Sequence, residues 1–317
     1  MKIVILDSDR ENPGDLSWEG IEMLGSTVIY DSTPYDEDII IERLANADIA
    51  VTNKTPLTEH VIANSPSLKY VTVLATGYNI VDTAAAGKRG IIVSNVPSYG
   101  TDSVAEFAVS LLLELCHHVG HHSDLVRSGM WEREGRWCFW DSEQIELRGK
   151  TMGIIGMGRI GRRVADIASA LKMNVITSSA HRKDDTPYRF VDLDELFRQS
   201  DVISLHCPLT PETEEIINRS TIEKMKDGVL IINNSRGGLV NEKDLRDALI
   251  SGKVKGAAVD VVSSEPVSSS NPLLTAPNCI ITPHISWAAK EARERIMRTT
   301  EENIRSFIEG RPQNTVN

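Results

Sequence analysis

This chain has no excess of positive charge, no paired cysteines and no long uninterrupted apolar run, and each absence removes a class of function. The formal net charge of −11 argues against a nucleic-acid or anionic-membrane surface as the main partner. A local basic pocket for a small anion stays compatible with it. Cys116, Cys138, Cys207 and Cys279 are widely spaced and form no C-x-x-C pair, so they indicate neither a zinc site nor a redox pair, and a reducing compartment is expected. The longest apolar segment, residues 107–116, contains Glu114 and is too short to span a bilayer. The opening Met1-Lys-Ile-Val-Ile-Leu-Asp7 turns acidic too soon for a secretion signal and reads as a first strand, which makes the cytoplasm the expected location.

What the sequence does have is a double alternation of strand-like and helix-like segments. Apolar runs at 3–6, 27–30, 49–51, 70–74 and 91–93 read as strands, separated by helical patterns at 39–44, 58–62 and 81–87. The turn-rich Val96-Pro-Ser-Tyr-Gly100 is followed by one long expected helix from Asp102 to about Leu125. Residues 129–142 then carry Trp131, Trp137 and Trp140 without clear periodicity, which reads as a packed loop or a subunit contact. A second series places strands at 152–155, 174–177, 202–205, 229–232, 256–259 and 279–281, with helices near 160–171, 193–199, 242–250 and 288–308. This alternation specifies an α/β fold with doubly wound parallel sheets, and 317 residues suggest about two domains.

The second series opens on Thr151-Met-Gly-Ile-Ile-Gly-Met-Gly-Arg-Ile-Gly161, a G-x-G-x-x-G pattern set between an expected strand and an expected helix. Gly156 permits a tight turn, Gly158 lets a pyrophosphate approach the backbone, and Gly161 lets helix and strand pack closely. The phosphates would then lie on the unpaired N–H groups at the helix start. An NAD site of this type has an Asp or Glu about 20 residues further on for the ribose hydroxyls. Here that strand ends in Ser178 and Ser179, followed by His181, Arg182 and Lys183. Removing the carboxylate removes repulsion against a 2′-phosphate, and Arg182 would supply a positive partner, so the balance leans slightly to NADP(H). The bland alternative has the serines binding the ribose while the basic residues face solvent.

Three further strand ends carry chemistry. Arg236 follows Ile231-Ile-Asn-Asn-Ser235, Asp260 and Glu265 follow Ala258-Val259, and His284 follows Ile281-Thr-Pro283. Taken singly, each has a dull explanation: a surface ion pair, a solvated loop charge, a satisfied buried imidazole. Taken together, after a dinucleotide motif, they suit 2-keto acid reduction. The guanidinium can hold carboxylate and carbonyl oxygens, the histidine can protonate the developing alkoxide, and the carboxylate can hold the ring's tautomer. The nicotinamide supplies the hydride.

At this point the chain resembles the D-isomer-specific 2-hydroxyacid dehydrogenase family across nearly its whole length. The matching pieces are Ala75-Thr-Gly-Tyr-Asn-Ile-Val-Asp82, the glycine motif, His206-Cys-Pro-Leu-Thr210, Asn234-Ser-Arg-Gly237, the run from Asp260 to Pro266, and Thr282-Pro-His284. The resemblance implies Arg236, Glu265 and His284 as the catalytic set. It implies cofactor contacts at Arg159, Ile160, Cys207, Pro208, Asn234, Ser235 and Asp260, and substrate-carboxylate binding by backbone N–H groups at Thr76 and Gly77. Tyr99-Gly-Thr-Asp-Ser-Val-Ala-Glu106 and Phe139-Trp-Asp-Ser-Glu-Gln-Ile-Glu-Leu147 look like the glycerate dehydrogenase (hydroxypyruvate reductase) branch. So does Thr52-Asn-Lys54, which would put Lys54 near the substrate.

The implied architecture is a flavodoxin-like substrate domain, 1–97 with 288–317, a Rossmann dinucleotide-binding domain, 98–287, an active site in the cleft between them, and a homodimer. The implied reaction is NAD(P)H-dependent reduction of a small 2-keto acid, with hydroxypyruvate to D-glycerate leading and glyoxylate second. The alternatives are pyruvate or a larger 2-keto acid, or a dinucleotide-sensing protein of co-repressor type. No disordered tail or partner segment favours the last of these.

His117-His-Val-Gly-His-His122 stands outside this scheme. Its spacing allows pairs on one helix face, but the local sequence offers no further ligand, so a polar helix end or a subunit contact is preferred to a metal site.

Overall fold

A computed structural model describes residues 1–180 and 186–317 of the chain. It divides into two compact units, Met1–Gly100 with Ala288–Asn317, and Thr101–Trp287. In the first, strands β1 (Lys2–Ile5), β2 (Ser26–Ile29), β3 (Ile49–Thr52), β4 (Tyr70–Val73) and β5 (Ile92–Ser94) alternate with helices α1 (Glu19–Glu22), α2 (Glu37–Leu44), α3 (Glu59–Ala63) and α4 (Thr83–Lys88). All strand pairs are parallel, in the order β2-β1-β3-β4-β5. β3 and β4 are buried along their whole length, which is why they read as unbroken apolar runs and not as alternating ones. Short polar side chains start the helices: Asp36, Thr58 and Asp82 accept from the otherwise unpaired N–H groups of α2, α3 and α4. Strand order reverses between β1 and β3, and such a switch point opens a crevice at the carboxyl ends of the strands.

The second unit begins with α5 (Thr101–His117), α6 (Val119–Arg127) and α7 (Met130–Glu134). Its parallel sheet comprises β6 (Thr151–Ile155), β7 (Asn174–Ser178), β8 (Arg189–Phe190), β9 (Val202–Leu205), β10 (Val229–Asn233), β11 (Val254–Val259) and β12 (Cys279–Ile281). The order is β12-β11-β10-β9-β6-β7-β8, which reverses between β6 and β9. Side chains alternate between two cores: on β10, Val229 and Ile231 enter one, and Leu230 and Ile232 the other. Helices α9 (Leu193–Gln199), α10 (Arg219–Lys224) and α11 (Glu242–Ser251) cover the first face. Helix α5 and α8 (Arg159–Ala170) cover the second. The last helix, α12 (Lys290–Ile308), belongs to the first unit, where Phe307 stacks on Tyr70 of β4 at 4.3 Å between ring centroids.

The single helix expected from Asp102 to Leu125 is two. His118 takes a left-handed conformation, φ 47°, between α5 and α6. The break falls where the apolar face of α5 has ended at Cys116, and Gly120 donates its N–H to the Glu114 carboxylate at 3.2 Å, which caps the new helix start. The tryptophan segment includes the short α7, and its rings are exposed: Trp131 47%, Trp137 92% and Trp140 66%. The short β8, α1 and α10 have too few residues to show a period. Among the described residues no helix is long and apolar enough to cross a membrane.

Candidate active site

The three glycines of the β6–α8 turn do different work. Gly156 has φ +100°, and a Cβ there would stand 2.5 Å from the carbonyl carbon and oxygen of His206. The turn therefore passes hard against the loop after β9. At Gly161 a Cβ would lie 2.1 Å from the Gly156 oxygen, so only glycine lets α8 pack back on its own strand. A Cβ at Gly158 would meet nothing within 4 Å. That open side, next to the helix start at Arg159 and Ile160, fits a diphosphate approaching the free N–H groups and the positive end of the helix. The glycine turn and the sheet's switch point coincide, since β6 and β9 are neighbours.

Ser178 is the last residue of β7, and the carbonyl of Ser178 accepts from Gly156 N–H at 2.8 Å, which locks the two strand ends together. Arg182, the expected partner of a 2′-phosphate, lies outside the described residues. In the loop after β9, Cys207 is buried and Pro208 exposed. His206 donates to or accepts from Ser204 Oγ through Nε2 at 2.8 Å, and its Nδ1 is buried without a partner among the described residues. Burial pushes this imidazole down to about 4, so it is neutral at ordinary pH.

Arg236, Glu265 and His284 follow the adjacent strands β10, β11 and β12, all at carboxyl ends. The structure joins two of them directly: His284 Nδ1 meets Glu265 Oε2 at 2.7 Å. This leaves Nε2 as the ring atom that can face a reactant. His284 sits in the left-handed region, φ 57°, with its backbone N–H on the Asp260 carbonyl at 2.8 Å and its carbonyl accepting from Trp287 Nε1 at 2.8 Å. Arg236 is exposed, with Nη1 on the Ser235 carbonyl at 2.7 Å, and makes no ion pair among the described residues. The Asn233 side chain braces its loop, donating to the Arg236 carbonyl at 2.9 Å and accepting from Ser235 N–H at 3.1 Å. Asn234 Nδ2 donates to the Val104 carbonyl, while its Oδ1 is buried and has no partner among the described residues.

Sequence reasoning missed what Asp260 does inside the protein. The carboxylate is 1% exposed and accepts from Thr282 Oγ1 at 2.6 Å, Ile285 N–H at 2.9 Å and Ser286 N–H at 2.8 Å. It is the anchor of the histidine loop. A buried Asp at a strand end was the available signal, but its partners on another strand's loop were not readable.

In the first unit, Lys54 follows β3 and is exposed, and Thr76 and Gly77 follow β4. Thr76 Oγ1 donates to the Val96 carbonyl and Asn95 Nδ2 to the Thr76 carbonyl, at 2.9 and 2.8 Å. The backbone N–H groups of Thr76 and Gly77 have no partner among the described residues, so both stay available to an anion.

The histidine cluster gains a neighbour the local sequence did not show. Asp141 meets His121 Nε2 at 2.7 Å and His122 Nε2 at 3.3 Å, and the His121 hydrogen bond holds its carboxyl below the usual carboxylate range. His118, His121 and Asp141 line a cavity of about 490 Å³ with Glu143, Lys255 and Asn278. It opens at the amino ends of β10–β12, the opposite ends from Arg236 and His284. Among the described residues no group of three or more His, Cys, Asp or Glu is placed to hold a metal ion.

A dinucleotide cradle, with a histidine–carboxylate pair and a free arginine at strand ends of the same sheet, defines an NAD(P)-dependent oxidoreductase. Comparison with known proteins narrows the class. The family profile described as "D-isomer specific 2-hydroxyacid dehydrogenase, NAD binding domain" matches residues 109–286. A hydroxypyruvate reductase from Blautia hydrogenotrophica is 55% identical, with 100% of both chains covered. A glycerate dehydrogenase from Methylorubrum extorquens is 40% identical over 90% of each. Among solved structures, an acyclic imino acid reductase in complex with NADPH and D-Arg superposes with TM-score 0.85 at 32% identity, over 100% of both chains. The chain belongs to the D-isomer specific 2-hydroxyacid dehydrogenase family. Its reaction class is the NAD(P)-dependent reduction of 2-keto acids, and the second unit is its NAD(P)-binding domain.

Proposed function

We propose that this enzyme reduces hydroxypyruvate to D-glycerate, with glyoxylate as a second substrate. The observation that carries the reading is the 2.7 Å contact between His284 Nδ1 and Glu265, at the ends of β12 and β11, with the unpaired Arg236 at the end of the next strand, β10. Arg236 grips the substrate's carboxylate and carbonyl oxygens in its planar fork. The Thr76 and Gly77 amides of the first unit, acting as the substrate-binding domain, are further donors to the carboxylate, and Lys54 contacts the substrate. His284 delivers a proton from Nε2 to the C2 oxygen. Glu265 keeps Nδ1 protonated, so that the ring presents the correct nitrogen and its cationic form is stabilised. NAD(P)H, when bound, supplies the hydride.

The cofactor is held by Gly156, Gly158 and Gly161 with Arg159 and Ile160 at the diphosphate. Ser178 and Ser179 meet the ribose, and Cys207, Pro208, Asn234, Ser235 and Asp260 lie along the remainder. The missing carboxylate at Ser178 and Ser179 supports a lean to NADP(H). The exposed Trp137 and Trp140 support a homodimer with this segment in the contact. Steady-state reduction of hydroxypyruvate, glyoxylate and pyruvate with NADH and with NADPH tests the reading. The highest kcat/KM is expected for hydroxypyruvate with NADPH. A pyruvate optimum would overturn the substrate, and a clear NADH preference the cofactor.

A further inference from the structure

In the reading above, the loop Asn53-Lys54-Thr55 meets the substrate, yet it is held almost entirely from outside. Asp7, buried just beyond β1, accepts from Asn53 N–H at 2.9 Å through Oδ1, and from Lys54 N–H and Thr55 N–H at 2.6 and 2.8 Å through Oδ2. Glu11, four residues further along and 0% exposed, accepts from Asn53 Nδ2 through Oε1. Asn53 itself is 4% exposed. Two oxygens on this joined pair, Glu11 Oε2 and Asn53 Oδ1, are buried without a partner among the described residues. Both are acceptors if Glu11 is ionised, and a donor is missing for each. One proton on Oε2 repairs both at once, because the amide then donates to Oε1 while the acid donates to Oδ1.

We infer that Glu11 acts as a neutral carboxylic acid, closed into an acid–amide ring with Asn53, and is the positioning residue for the loop that carries Lys54. This rests on the proposal that Lys54 contacts substrate. The charges around Glu11 agree with it. Burial holds its carboxyl well above the usual carboxylate range, Lys54 and Arg293 pull it down, and Asp7 pushes it up. Arg293 of α12 offers Glu11 no charge-assisted bond at the carboxyl. Its Nη1 and Nη2 are committed to Asp15 at 2.7 Å each, and Nη1 also reaches the Glu11 backbone carbonyl at 3.1 Å. An ionised Glu11 would attract Lys54, whose charge already acts on it, and draw that ammonium inward, away from a substrate. The proton thus keeps Lys54 exposed. A raised folded-state value means the stabilisation is complete below the ordinary value of 4.5 and is lost as pH rises through the folded one.

The test compares wild type, Glu11→Gln, Glu11→Ala and Lys54→Met by melting temperature across pH and by kcat and KM for hydroxypyruvate. Gln presents the same acceptor and donor as the protonated acid. Glu11→Gln is therefore expected to hold KM within about twofold of wild type below neutral pH, and to gain in melting temperature relative to wild type as pH rises. Glu11→Ala is expected to raise KM about tenfold with a smaller change in kcat. If Glu11→Gln matched Glu11→Ala in both measurements, the carboxylate would be the working form and the inference would fall. If the melting pattern held while Lys54→Met left KM unchanged, the ring would stand and the substrate role of Lys54 would fail.

Discussion

Gly237→Ala is the sharpest single probe of how the site is spaced. Gly237 follows Arg236 directly and is buried against the loop after β11. A Cβ placed on it would lie 2.0 Å from both the carbonyl carbon and oxygen of Val262 and 2.5 Å from Ser263 N. These are backbone atoms on both sides, so no side chain can swing away. Restoring a contact of about 3.5 Å requires the two loops to part by roughly 1.5 Å. One of them carries Arg236 and the other, three residues on, carries Glu265. Overpacking of this kind costs about 1–3 kcal/mol, and in a domain of this size each kcal/mol lowers the melting temperature by about 2–4 °C. The effect on rate is larger, since a displacement of about 1 Å at a positioning group costs on the order of a hundredfold. The cradle at Gly156–Gly161 follows β6, with β9 between it and β10, so the diphosphate contacts stay while Asn234 and Ser235 shift with the loop, and cofactor affinity is expected to fall by less than kcat/KM. Steady-state kcat/KM beside a fluorescence titration of cofactor separates these outcomes. A Gly237→Ala enzyme with cofactor affinity and kcat/KM both near wild type would refute the idea that the Gly237–Val262 contact sets the spacing.

Two further substitutions probe other elements. His284→Asn is suited to the left-handed backbone at φ 57° and removes the proton donor, so kcat is expected to fall about 10²–10⁴-fold while cofactor binding survives; near-normal turnover would rule out His284 as the acid. His206, held down to about 4 by burial, binds no proton in the folded state until well below the point where the unfolded chain's histidine takes one up. Stability should therefore fall as pH drops from about 6.5 towards 4, and His206→Gln should flatten the melting-temperature profile in that window. An unchanged slope would count against a neutral buried ring.

The parallel sheets were readable because strands buried on both faces write themselves as apolar runs, and β9 and β12 fall on the expected residues. Gly156, Gly158 and Gly161 were readable for a different reason: Gly156 and Gly161 each relieve a local conflict that glycine alone resolves, and Gly158 leaves a side of the turn open. That Arg236, Glu265 and His284 follow three successive strands could be expected because strand ends gather at one edge of a parallel sheet, whatever the distance along the chain. Contacts between loops could not. Nothing near Asp260 says that it holds the histidine loop, nothing near Asp141 says that it reaches His121, and Glu11 and Asn53 meet across 42 positions. The break at His118 was hidden for the same reason, since the Glu114 side chain that caps α6 looks like an ordinary helical residue.

Asp260 holds the turn around His284 by gripping main-chain amides, and amides are common to every residue but proline. The identity of Ile285, whose side chain is 41% exposed, is therefore of no account to the anchor. The position next to the proposed proton donor is left open to variation, so the surroundings of the reaction can be altered there, by evolution or by design, without loosening the histidine.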